Sequence, residues 1–99
     1  MDNATRWRIE EAHDKAMRQL NQAQEVLADY QRQLTQTTGQ LVDYVYSFYR
    51  ELDEGIPYGL SAPFEEVVAK YNFEIRRKSD AIDEKRMQEQ RTFRQKMDV

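Results

Sequence analysis

The chain has 99 residues and a formal net charge of -3, with 33% charged and 39% hydrophobic residues. That size suits one small domain, and that charge gives no electrostatic footprint for nucleic acid. The chain has no cysteine, which excludes disulfides and thiolate metal sites, and no apolar run approaches the ~18 residues of a membrane span.

Gln, Glu, Arg, Lys, Asp, Ala and Leu dominate, with only 3 Gly and 2 Pro, a composition of long helices rather than sheets. A mean hydropathy of -0.97 would suit disorder. The 11% aromatic content and a regular apolar period oppose it. The first residues, Met1 to Arg8, alternate in charge and contain no apolar core of a secretory signal. A cytoplasmic location is expected; any export must use another route or be carried by another protein, as in co-export with a client.

The first element is a helix over about 5–53. Its apolar seam runs Ile9, His13, Ala16, Leu20, Ala23, Leu27, Tyr30, Leu34, Thr37, Leu41, Tyr44, Phe48, with spacings that alternate four and three. Asn3 or Thr5 is the expected N-cap. The seam is thin at His13, Ala16 and Ala23 and thickens after Gly39. Gln36-Thr37-Thr38-Gly39 has low helix propensity. The heptad phase continues across it, so one helix is expected, with a tolerated polar layer preferred to a hinge.

A turn follows over about 54–61. Gly55 is the expected left-handed cap, Pro57 stops the helix, and Ser61-Ala62-Pro63 restarts the chain ahead of Glu65 and Glu66. The second helix is expected over about 62–97. Its seam is Phe64, Val68, Tyr71, Ile75, Lys78, Ile82, then Arg86, Glu89 or Gln90, Phe93 and Met97.

Together these predict an all-α fold: two long antiparallel helices forming a helical hairpin, which completes a four-helix bundle with a partner or a second copy. Closing it at the turn would set Phe48 near Val68, Tyr44 near Tyr71, Leu41 near Ile75, Leu34 near Ile82 and Ala23 near Phe93. The start of the first helix would then overhang, leaving Trp7, Ile9 and His13 without a partner in the chain. Two helices bury too little to offset chain entropy alone. The surplus apolar residues Val42, Val45, Tyr46, Tyr49, Tyr58, Val67 and Phe73 join Trp7, Ile9 and His13 as the expected partner interface, with Trp7 its leading anchor.

Catalytic chemistry is not expected. His13 is the one histidine, and Glu10 and Asp14 beside it suit a solvated helix face better than a metal site. The acidic group Asp43, Glu51, Asp53, Glu54, Glu65, Glu66 lies around the turn, where a hairpin gives an acid pair no pocket. Arg76-Arg77-Lys78 and the basic residues from Arg91 to Lys96 are interleaved with acids, so no phosphate track forms. No cofactor, metal or nucleic-acid partner is expected.

The Gln-rich first helix, Phe48-Tyr49-Arg50-Glu51-Leu52 before the turn, and the run from Phe64 through Tyr71-Asn72-Phe73-Glu74 to Asp83-Glu84-Lys85 resemble the small α-helical proteins that accompany LXG-domain toxins. Those proteins are WXG100-like components of type VII secretion. The chain departs from the WXG100 pattern: its turn, Gly55-Ile56-Pro57-Tyr58-Gly59, has no tryptophan. Tyr49-Arg50-Glu51-Leu52-Asp53 has the spacing of the tyrosine–aspartate export motif but precedes the turn, and Phe93 to Asp98 is one residue too wide for it. The resemblance implies an adaptor or targeting chaperone that binds the N-terminal helical domain of a secreted toxin for export. The residues by themselves also allow a homodimeric coiled-coil scaffold or a nucleic-acid-associated regulator.

Overall fold

In a computed structural model, which describes residues 1–53 and 55–98, the helix-forming sequence builds two long helices, α1 (Asn3–Glu51) and α2 (Ala62–Met97). The Thr5 backbone N–H donates to Asp2 Oδ1 at 2.6 Å, so Asp2, not Asn3 or Thr5, caps α1. Hydrogen bonds from Thr5, the side-chain one first and the backbone one second, hold the Asp2 carboxyl below its usual aspartate value. Ser61 stands just before α2: its carbonyl accepts from the Glu65 N–H at 3.0 Å, and its hydroxyl donates to Glu65 Oε1 at 3.3 Å.

The contacts between α1 and α2 are those of a helical hairpin, and they fall into two units. The terminal unit comprises Met1–Leu27 with Arg77–Val99, and the turn unit comprises Ala28–Arg76. In the terminal unit the half-buried residues of α1 are Ile9, His13, Ala16, Met17, Leu20, Gln24 and Leu27. Those of α2 are Ser79, Ile82, Arg86, Glu89, Phe93 and Met97. Ala23 and Lys78 yield their expected seam places to Gln24 and Ser79, so polar side chains line part of this seam.

In the turn unit the seam departs further from the heptad reading. Leu34, Thr38, Val42, Val45, Tyr46 and Tyr49 are half-buried on α1, facing Phe64, Val68, Asn72 and Ile75. Tyr30, Thr37, Leu41, Tyr44, Phe48 and Tyr71, all expected in the seam, are exposed. The spacing Leu34–Thr38–Val42 is four and four, so the phase slips by one residue at Thr37-Thr38-Gly39 instead of running on. A strict heptad stripe drifts about 20° per heptad on a helix of 3.6 residues per turn. Five heptads beyond Ile9 the drift is close to the ~100° between successive residues. The burial pattern follows the helix, and the heptad stripe rotates out to solvent.

Register is the second correction. In the terminal unit His13 lies against Phe93 and Glu89, and Gln24 against Arg86. In the turn unit Gln31 Nε2 donates to Asn72 Oδ1 at 3.3 Å. The expected pairing instead placed Ala23 by Phe93 and Tyr44 by Tyr71. The facing residues on α1 therefore lie about ten positions, roughly 15 Å, nearer its N-terminus than expected. His13 consequently has neighbours in α2 and Ile9 is half-buried, so the expected overhang is shorter than the heptad pairing predicts.

The connector explains the offset. Beyond Glu51, the Leu52 N–H bonds the Phe48 carbonyl at 3.2 Å and the Asp53 N–H bonds the Arg50 carbonyl at 3.2 Å. Asp53 takes the left-handed conformation at φ 52°, so the cap falls there and not at Gly55. Glu54, where the turn was expected to begin, lies outside the described residues. The Leu60 N–H then closes on the Pro57 carbonyl at 3.3 Å across Tyr58-Gly59, with Gly59 at φ 74° as a type II turn requires. The last turns of α1 thus run on past the start of α2. The partial burial of Val45, Tyr46 and Tyr49 accompanies that of Leu60 and Ser61 in the returning connector.

A β-carbon at a left-handed position costs free energy that glycine avoids. Asp53→Gly is expected to stabilise the hairpin by about 0.5–1 kcal/mol in urea unfolding followed by circular dichroism. No gain would mean that the aspartate side chain contributes a local bond of equal worth.

Among the described residues no side chain is fully buried. The chain exposes 8177 Å². A compact folded monomer of 11.9 kDa exposes about 5,900 Å². The surplus, roughly 2,200 Å² by that scaling, is surface that the hairpin cannot cover by itself.

Candidate protein-binding surfaces

In an antiparallel helix pair, the positions one residue before each seam residue lie on the same side of both helices. In the turn unit this side carries Tyr30, Thr37, Leu41, Tyr44 and Phe48 from α1, preceding Gln31, Thr38, Val42, Val45 and Tyr49. From α2 it carries Val67, Tyr71 and Glu74. Tyr44 is 71% exposed, and Tyr30, Leu41, Phe48, Val67 and Tyr71 are all about half exposed or more. Between Gln33 and Val42 no residue is charged, and the same holds from Tyr44 to Tyr49. The two charged residues within 30–49, Arg32 and Asp43, both lie on the other side. The α1 part of this face has aromatics and no charge, the composition of an interface core.

The opposite side of the turn unit is a groove of about 480 Å³ with Thr38, Gly39, Val42, Val68 and Ala69 in its floor and Asp43 and Glu65 on its rim. Gly39 and Ala69 supply the depression. A β-carbon on Gly39 would meet nothing within 4 Å. The terminal unit has its own groove of about 420 Å³, where Ala23, Val26, Leu27, Ala81 and Ile82 form an apolar floor and Lys78 and Lys85 line it with positive charge.

The residues expected to form the partner interface divide. Trp7 is 63% exposed, and Val67 and Phe73 are exposed on opposite flanks of α2. Tyr58 is fully exposed in the turn, at 107%. Ile9 and His13 are half-buried in the seam of the terminal unit, and Val42, Val45, Tyr46 and Tyr49 are half-buried in the turn unit. The one-residue phase slip explains the second group: Val42, Val45 and Tyr49 exchange places with Leu41, Tyr44 and Phe48. Their signal was present in the sequence as the uncharged stretch from Gln33 to Val42, which the heptad reading assigned to the seam.

His13 stacks on Phe93 with ring centroids 4.0 Å apart and planes at 14°. Its Nδ1 lies 3.2 Å from Glu89 Oε1. These contacts join α1 to α2 and give the histidine a structural role. Among the described residues no group of three His, Cys, Asp or Glu side chains could hold a metal ion. Among the described residues no helix is long and apolar enough to cross a membrane.

No protein family, curated protein or solved structure matches the chain.

Proposed function

We infer that this chain is a protein-binding module that lends two helices to a bundle with a helical client. The observation that carries the reading is the hairpin without a single fully buried side chain among its described residues, which leaves exposed apolar side chains on both units. The resemblance to the helical companions of LXG-domain toxins supports a specific form of it, an export adaptor or targeting chaperone for a secreted toxin. In that form the client's helices cover the hairpin's apolar surface, and the complex presents the surface that the export machinery reads. The lysines beside the apolar groove of the terminal unit would favour a client helix with acidic flanks.

The test is co-expression with the N-terminal helical domain of an LXG toxin, followed by co-purification and calorimetry. A complex of defined stoichiometry is expected. Trp7→Ala should weaken it about tenfold or more while the hairpin's helicity stays unchanged, because Trp7 is exposed and meets the criteria for an anchor. Unchanged affinity would remove Trp7 from the interface, and no complex with any such domain would remove the toxin-specific form.

A further inference from the structure

We propose that the aromatic face of the turn unit, built on Leu41, Tyr44, Phe48, Val67 and Tyr71, is where a second copy of this chain docks. The proposal rests on the reading above only in taking the surplus surface to be covered by helices. It assigns this face to self-association and leaves the terminal unit for a client. The area is sufficient for a copy, and the charge pattern decides in favour of one. Each chain exposes roughly 2,200 Å² more than a compact monomer of its mass. That surplus is spread over both units, and two turn faces need cover only part of it to reach the ~1,200–2,000 Å² of a stable interface. A two-fold interface brings a patch onto itself, so any net charge on it would face its like. Here α1 presents no charge between Tyr44 and Tyr49 or between Gln33 and Val42, and α2 brings Lys70 and Glu74, of opposite sign. Such a patch suits itself, whereas the groove of the terminal unit, with Lys78 and Lys85, would set lysines against lysines.

The measurement is sedimentation equilibrium of the full chain at about 50 µM, a concentration at which a micromolar Kd populates a dimer. A dimer whose melting temperature rises with concentration is expected. Tyr44→Lys, and the double variant Leu41→Lys/Tyr44→Lys, should weaken it by at least about a hundredfold, since each copy then sets desolvated charge against charge. Phe73→Lys, on the other flank of α2, should leave dimerisation within about twofold of wild type. If the hairpin folds only as a dimer, the Tyr44 variant loses helicity and Phe73→Lys keeps it, which supports the same face. A monomeric wild type would overturn the proposal, and a monomer that still binds a helical client would do so while leaving the adaptor reading intact. A dimer that survives the double variant, or one that Phe73→Lys breaks equally, would place the interface elsewhere and overturn it too.

Discussion

Phe93→Ala is expected to destabilise the hairpin by about 2 kcal/mol, and to do so first in the terminal unit. Removing a fully buried phenylalanine costs about 3–5 kcal/mol, and Phe93 is half-buried, so the lower figure applies. The ring covers one face of His13 at 4.0 Å, and His13 in turn reaches Glu89 at 3.2 Å. Losing the ring therefore leaves the imidazole facing a void or water. Urea unfolding at fixed protein concentration gives the magnitude, because self-association would couple stability to concentration. Amide exchange gives the location: protection should fall around His13 and Glu89 before it falls around Val42 and Val68. Equal loss in both units would mean that they open together. A loss below about 0.5 kcal/mol, the level of a surface substitution, would mean that the stack is solvated and the polar seam contributes little.

Arg86→Ala is expected to cost a similar amount, about 2 kcal/mol, by a different route. Arg86 Nη2 donates to Asn21 Oδ1 at 2.8 Å and to Gln24 Oε1 at 2.6 Å, while Nη1 donates to Asp83 Oδ1 at 3.1 Å. The Asp83 side chain is half exposed, so that pair contributes little. The bonds to Asn21 and Gln24 cross from α2 to α1 and are charge-assisted, the stronger kind. Truncation leaves the half-buried Gln24 without its donor. Arg86→Met should recover about half of the loss, because its stem still covers the seam. The pair Gln24→Leu with Arg86→Leu should match or exceed the wild type, since apolar replacement of both partners removes the desolvation cost. If the double variant is as unstable as Arg86→Ala, the polar layer contributes more than its bonds, and specification of register becomes its role. That last result would be informative here, because the register is where the sequence misleads.

Much of the architecture is legible in particular residues. The low glycine and proline content, the Ser61-Ala62-Pro63 restart and the apolar spacing from Ile9 to Leu34 require two helices with a break between them. Phe64, Val68, Ile75 and Ile82 occupy the seam where their spacing put them. Other features become legible only when the helix period replaces the heptad. The stretch from Gln33 to Val42 carries no charge, the mark of an exposed apolar side, but a heptad seam accounts for the same apolar residues and hides it. Thr38 and Val42 follow the helix period, whereas Thr37 and Leu41 follow the heptad. Asp53 in the left-handed cap gives no sequence signal strong enough to displace Gly55, since aspartate adopts that conformation less readily than glycine.

The sequence by itself determined the two helices, their approximate extents and the scarcity of core. Helix hydrogen bonds span four residues and caps act within one turn, so local composition suffices. Only the tertiary structure decided which residues of α1 meet α2. The choice between a 3.5- and a 3.6-residue period accumulates over five heptads, and the connector's path sets where α2 begins along α1. A one-residue slip moves Tyr44 from the seam to the surface, and a ten-residue offset moves Phe93 from Ala23 to His13. Neither quantity resides in any local window of the chain, because each is the sum of small rotations or of one turn's geometry carried along a long helix.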